Sequence, residues 1–133
     1  MVSEVNFPDT LVMYVDGDES KPIPEQAKET FEVLEAKFTS FKGRKFFGVV
    51  IGNKYRACSS ITEHDKNFIL PHPTWTIPGG KYARIKIDNW NTNTDLISPT
   101  FEKLYSLENV DYTRPGIEYY RSQTELYVMV PVE

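Results

Sequence analysis

The chain has one cysteine, Cys58, in 133 residues. A single thiol excludes an internal disulfide framework and suits a reducing compartment. Basic charge is not in excess either: 15 Lys and Arg stand against 19 Asp and Glu, a net charge of −4. A protein that neutralises nucleic-acid phosphates carries the opposite balance, so no direct DNA binding is expected. No apolar run approaches the roughly 20 residues of a membrane span; the longest, such as Phe46 to Ile51, are strand-sized. Met1 to Pro8 lacks the apolar stretch of a signal peptide. These absences leave a cytoplasmic protein with no membrane partner as the expectation.

Several catalytic and cofactor signatures are also missing. Ile77-Pro78-Gly79-Gly80 has neither the Lys-Ser/Thr nor the three-glycine pattern of a phosphate loop. No G-x-S-x-G element is present. The two histidines, His64 and His72, lie eight apart in irregular sequence without zinc-ligand spacing. No metal and no cofactor are therefore expected. Cys58, in an alternating strand among small residues, reads as a packing residue.

Aromatic residues are abundant. They make up 14% of the chain, as 8 Tyr, 8 Phe and 2 Trp. In a small acidic domain they serve either an aromatic core or a pocket for a flat ligand. Overall, 40% hydrophobic and 26% charged residues describe one ordinary globular domain.

Leu11 to Val15 reads as a strand stopped by Asp16-Gly17-Asp18. From Glu25, Ala27, Phe31, Leu34 and Phe38 recur at helical spacing, with Pro24 in the first turn. Phe46 to Ile51 and Tyr55 to Ile61 form a hairpin through Gly52-Asn53-Lys54. Glu63 to Pro78, with three prolines, reads as a connector. Lys81 to Asp88 alternates, with Ala83, Ile85 and Ile87 on one face and Tyr82, Arg84 and Lys86 on the other. A helix follows over Asp95 to Leu107, then a strand pair, Ile117 to Ser122 and Glu125 to Val132.

The order strand, helix, strand, strand thus occurs twice. Thr30-Phe31-Glu32 and Leu34 return 70 residues later as Thr100-Phe101-Glu102 and Leu104. The same offset places Leu11–Val15 on Lys81–Ile85, Phe47 on Ile117, and Tyr55–Ile61 on Glu125–Pro131. The expectation is an α+β fold in which duplicated βαββ units form a merged antiparallel sheet with two helices and a central ligand cleft. Repeat 1 covers about 10–62, the connector 63–78 and repeat 2 about 79–133.

Particular stretches carry a family resemblance. Thr76-Ile77-Pro78-Gly79-Gly80-Lys81-Tyr82-Ala83 resembles the start of the second half of GyrI-like, or AraC-type effector-binding, domains. Arg114-Pro115-Gly116-Ile117-Glu118-Tyr119-Tyr120 resembles that family's glutamate-bearing strand, and Glu125-Leu126-Tyr127-Val128-Met129-Val130-Pro131-Val132 its last strand. Phe46-Phe47-Gly48 and Tyr55-Arg56-Ala57-Cys58 resemble its first hairpin. The resemblance implies a protein that binds small molecules in a central cleft. Many such domains are sensor halves of transcription regulators. Only about ten residues precede the first strand here, leaving no room for a helix-turn-helix, so a stand-alone binder is expected.

Glu118 is the first candidate for ligand contact, because the resembling strand directs its glutamate at the ligand. Its repeat counterpart is Gly48, which leaves space beside a carboxylate. Ionised, it pairs with a cation whose flat rings stack on aromatics. Tyr120 shares its strand face. Tyr127, Tyr14 and Tyr82 are further candidate walls, with Trp90 in a polar loop and Trp75 in the connector. The expected partner is a small hydrophobic, cationic, planar organic molecule, bound by a monomer or homodimer. The resemblance leaves two alternatives: a hydrolase of strained cyclopropane-type electrophiles using Glu118 with an aromatic residue, or a modulator of a gyrase or toxin partner.

Overall fold

The computed structural model describes residues 1–38, 40–67 and 70–133; residues 68 and 69 of the expected connector lie outside these. In chain order the elements are β1 (Ser3–Phe7), β2 (Thr10–Asp16), α1 (Ile23–Glu35), β3 (Phe46–Ile51), β4 (Lys54–Ser60), a 3-10 turn (His64–Asn67), β5 (Thr74–Ile77) and β6 (Gly80–Asp88). Two short 3-10 turns (Trp90–Thr92 and Thr94–Leu96), α2 (Ile97–Tyr105), β7 (Ile117–Tyr120) and β8 (Glu125–Pro131) complete it. The fold is α+β, with two helices and antiparallel strand pairs, as expected.

Two compact units divide the chain. Thr10–Ile77 holds the strands in the order β3-β4-β2-β5 and helix α1. Met1–Asp9 together with Pro78–Glu133 holds β1-β6-β8-β7 and helix α2. β1 and β5 lie outside the sequence expectations. β5 falls within the stretch read as an irregular connector, and β1 precedes the first expected strand. Each pairs with a strand far from its own chain neighbour: β1 with β6, and β5 with β2.

The duplication extends to residue register. Phe7 faces Gly80 in one pair and Ile77 faces Thr10 in the other. Moving Phe7 forward and Gly80 back by 70 positions converts the first relationship into the second, and the pairs of Asn6, Val5 and Glu4 map in the same way onto those of Thr76, Trp75 and Thr74. The last strand departs from the expected offset. Phe47 faces Cys58, whereas Ile117 faces Met129, so β8 follows β4 at 71 residues rather than 70. The turn between β3 and β4 is the two-residue Gly52-Asn53, with Gly52 at φ 63. The turn between β7 and β8 is longer and absorbs the shift.

Each helix packs on the strands of its own unit through a leucine in its last turn. Leu34 is fully buried against Tyr55 and Ala57, with Phe31, Ala27, Val15 and Val50 around it. Leu104 is fully buried with Leu126, Val128, Val130 and Ala83, with Phe101, Ile97 and Ile85 beside them. Burying each such leucine contributes about 1.5–3 kcal/mol. Helix α1 ends at Glu35, short of the expected Phe38. Phe38 still joins the same cluster, because its ring meets Phe46 at 6.5 Å.

Candidate functional site

β7 carries the first candidate. Residues two apart on a strand share a face, so Glu118 and Tyr120 point the same way. Their partners on β8 are Val128 and Leu126, which face α2. Glu118 is 7% exposed. A carboxylate drawn that far from water needs hydrogen-bond donors. The Tyr120 hydroxyl supplies one, donating to Glu118 Oε1 at 2.6 Å. Such a short bond to a carboxylate is of the charge-assisted kind.

Trp90 closes over Tyr120. It opens the first 3-10 turn after β6, behind Asn89, whose φ of 53 lies in the left-handed region that asparagine tolerates. The turn brings the indole to Tyr120 at 4.9 Å between ring centres and 67° between planes. The indole N–H donates to the Ser122 carbonyl at 3.1 Å. Both rings pack against the α2 cluster. A buried carboxylate, a phenol bonded to it and an indole edge on that phenol thus meet on one face of one unit. This set offers negative charge and aromatic surface, the two things an organic cation needs.

The other candidates have different surroundings. Tyr127 is on the opposite face of β8, stacked on Tyr119 at 6.3 Å and 23°, with the Arg84 guanidinium carbon 4.3 Å from its ring centre. Tyr82 is fully buried. Its ring meets Phe7 at 5.7 Å, the Arg114 guanidinium lies 5.0 Å away, and its hydroxyl donates to the Pro78 carbonyl at 2.7 Å. Burial pushes the Tyr82 phenol up from its usual pKa of 10.0. Tyr82 is a packing residue of its own unit.

Tyr14 and Trp75 come together in the unit spanning residues 10–77, because β5 pairs with β2 and sets Trp75 opposite Val12. What they hold is Arg56, absent from the sequence candidates. Its guanidinium carbon lies 4.0 Å from the Tyr14 ring centre and 4.8 Å from that of Trp75. Arg56 Nε and Nη2 also donate to the two Asp16 oxygens at 2.7 and 3.2 Å. Arg56 and Lys54 hold the Asp16 carboxyl below its usual range, although burial opposes them. The available signal was Asp16 at the end of one strand and Arg56 at the start of another, which only the β2–β4 register joins. Cys58 is buried, and burial drives its thiol far above its usual range, which disfavours the thiolate. No cluster of three metal-ligating side chains occurs among the described residues.

No family model matches the chain, and no curated protein matches it in sequence. Solved structures share its fold. An integron cassette protein from Vibrio cholerae, VCH_CASS2, superposes with a TM-score of 0.70 at 14% identity, covering 100% of this chain and 95% of that one. SAV2435 bound to tetraphenylphosphonium gives a TM-score of 0.56 at 13% identity, over 100% and 94% of the chains. A hydrolase from Listeria innocua gives 0.50 at 10% identity, over 99% and 91%. The likeness is one of architecture along nearly the full length of each chain.

Proposed function

We propose that this protein binds hydrophobic, cationic, planar organic compounds against Glu118, Tyr120 and Trp90, in the manner of GyrI-like effector-binding domains. The observation that carries this reading is Glu118 itself. The residue is 7% exposed, and the β8 partners of Glu118 and Tyr120, Val128 and Leu126, belong to the apolar cluster against α2. Electrostatic attraction in such surroundings is stronger than in water, so a hydrophobic cation gains there what a hydrated one does not. Aromatic faces add about 0.5–2 kcal/mol for a cation over a ring. That SAV2435, with the same architecture, holds tetraphenylphosphonium, a cation wrapped in phenyl rings, supports the reading.

Trp90 makes the reading measurable, since it touches Tyr120. Tetraphenylphosphonium and planar cationic dyes are titrated against tryptophan fluorescence in wild type and Glu118→Gln. Saturable quenching weakened at least tenfold in the variant, about 1.4 kcal/mol, is expected. Equal quenching in both proteins removes Glu118 as the cation site. The Listeria innocua hydrolase of like fold supports a second reading, hydrolysis of strained electrophiles. Turnover of such a substrate that disappears in Glu118→Gln would favour it.

A further inference from the structure

The segment between α1 and β3 departs from the acidic character of the chain. Residues 36–45 include Lys37, Lys42, Arg44 and Lys45 and no acid, in a chain of net charge −4. Its tip is a β-turn, Phe41–Arg44, closed by the Arg44 N–H to the Phe41 carbonyl at 3.0 Å. Gly43, at the third position of the turn, has φ 78, a left-handed value that glycine adopts without steric cost. The base of the turn is pinned. Arg44 Nη1 and Nη2 each donate to Asp65 at 2.7 Å, and its guanidinium lies 3.9 Å over the Phe38 ring. The Lys45 N–H donates to the Ser60 hydroxyl at 2.8 Å.

Spending Arg44 on this anchor leaves the lysines outside it. Lys37, Lys42 and Lys45 are exposed, and none joins an ion pair among the described residues. Between them Phe41 is 49% exposed, its inner side meeting Phe46 at 5.5 Å and Phe38 at 6.4 Å. A fixed turn thus presents a half-exposed aromatic ring, with three exposed lysines close to it in sequence and outside the ion pairs of the described residues. A surface complementary to both has negative charge at its boundary and apolar material beneath. A bilayer with anionic headgroups has that layering. A nucleic acid fits less well. Non-specific binders spread about 6–10 phosphate contacts over their surface, whereas three lysines are available here and the rest of the chain is acidic.

We propose that the turn Phe41–Arg44, flanked by Lys37 and Lys45, docks on an anionic phospholipid surface, with Phe41 entering the headgroup boundary and the three lysines facing lipid phosphates. The contact is weak and salt-sensitive, because one ring and three lysines are a small anchor. It stands independently of the ligand site around Glu118.

The test is cosedimentation with vesicles of phosphatidylcholine alone and of phosphatidylcholine with one third phosphatidylglycerol, at low and raised salt. Wild type is expected to bind only the anionic vesicles and to release as salt rises. Lys37→Gln/Lys42→Gln/Lys45→Gln is expected to lose at least tenfold in bound fraction, and Phe41→Ser a comparable amount. Because Phe41 also packs on Phe46, Phe41→Trp serves as the conservative variant, and it is expected to retain binding. Lys42→Gln alone, at an exposed turn position, is expected to give an intermediate loss with an unchanged melting temperature. Absence of binding to anionic vesicles at low salt overturns the proposal, as does undiminished binding by the triple-lysine variant. Tighter binding to a DNA duplex that Phe41→Ser leaves unchanged would overturn it in favour of a nucleic-acid contact.

Discussion

Arg56 lies over Tyr14 at 4.0 Å, and the equivalent positions of the other repeat hold the same pair with the residue types exchanged: Arg84 lies over Tyr127 at 4.3 Å. Arg84 follows Tyr14 by 70 residues, and Tyr127 follows Arg56 by 71, the offsets of their strands. The neighbouring ion pair is exchanged as well. Lys54 to Asp16 at 3.3 Å corresponds to Lys86 to Glu125 at 3.5 Å, with acid and base trading strands. Coulomb and cation–π attraction depend on separation, not on which strand supplies the charge. The two repeats therefore keep one geometry through opposite residue choices, and identity counts between them understate the likeness.

Arg56 and Arg84 differ in how much each carries. The Arg56 side chain is 13% exposed, touches two rings and is bidentate to Asp16. Arg84 has one ring and a 3.5 Å bond to the Ser3 hydroxyl. Arg56→Leu is expected to cost about 1–3 kcal/mol, since it removes the bidentate partner of the part-buried Asp16 and leaves it only Lys54, and Arg84→Leu less than about 1 kcal/mol. Urea midpoints at constant m-value measure both. Equal costs would contradict the assignment.

Gln26 is 1% exposed and ties three segments. Its amide NH2 donates to the Lys21 and Asn53 carbonyls at 2.8 and 2.9 Å, and its oxygen accepts from the Tyr55 N–H at 2.9 Å. Gln26→Leu keeps much of the volume but leaves a buried N–H and two carbonyls without this partner. A loss of about 2–4 kcal/mol is expected. Gly17→Ala tests the same clamp from outside. A Cβ at Gly17 would lie 2.5 Å from Gln26 Oε1, an atom held in place by its own hydrogen bond. Its thermal midpoint is expected to fall although the substitution itself is small.

The legible parts of the fold were those with local periodicity. Phe31, Leu34, Phe101 and Leu104 mark both helices, and alternation marks β6. β1 and β5 also alternate, as Val5 and Phe7 and as Trp75 and Ile77, but each is short, flanked by proline and paired with a strand that is not its neighbour in the chain. No local pattern names such a partner. The same gap explains the site. Glu118 and Tyr120 follow from two-residue spacing on one strand. Tyr82 looked available because Phe7, which covers it, belongs to the unrecognised β1. Tyr14 and Trp75 were legible as aromatics but not as the two faces of a clamp on Arg56.

Arg44 and Asp65 form a bidentate pair with side chains 8% and 10% exposed. Arg44 above all, helped by the Thr62 N–H, lowers the Asp65 carboxyl from 3.8 to about 2. A carboxyl depressed on folding adds stability that is fully present above its unfolded value, and that is lost as pH falls through the folded one. The contribution is therefore whole above about pH 4 and fades toward pH 2. Asp65→Asn, which leaves the Arg44 charge unpaired, is expected to cost about 3–5 kcal/mol at neutral pH. Its stability should also fall less steeply than that of wild type between pH 4 and pH 2. Asp111, likewise lowered to about 2 by Thr113 and Arg114, keeps some slope in both proteins. Parallel acid-unfolding curves would show that the pair contributes nothing through titration.

Tyr120 and Glu118 are joined at 2.6 Å, so their roles in the proposed binding are separable only as a pair. If Tyr120 acts by orienting the carboxylate, Tyr120→Phe weakens binding of tetraphenylphosphonium in the wild-type background. It then does little more once Glu118→Gln is present. If its hydroxyl contacts the ligand directly, the two losses add. Trp90→Phe calibrates the aromatic contribution, since phenylalanine keeps a ring near Tyr120 but gives up the bond to the Ser122 carbonyl. Isothermal titration of the four proteins of the cycle supplies the coupling. A coupling above about 0.5 kcal/mol assigns Tyr120 to positioning, while an additive result makes it a contact in its own right. No loss in any single variant would remove the whole cluster from the binding site.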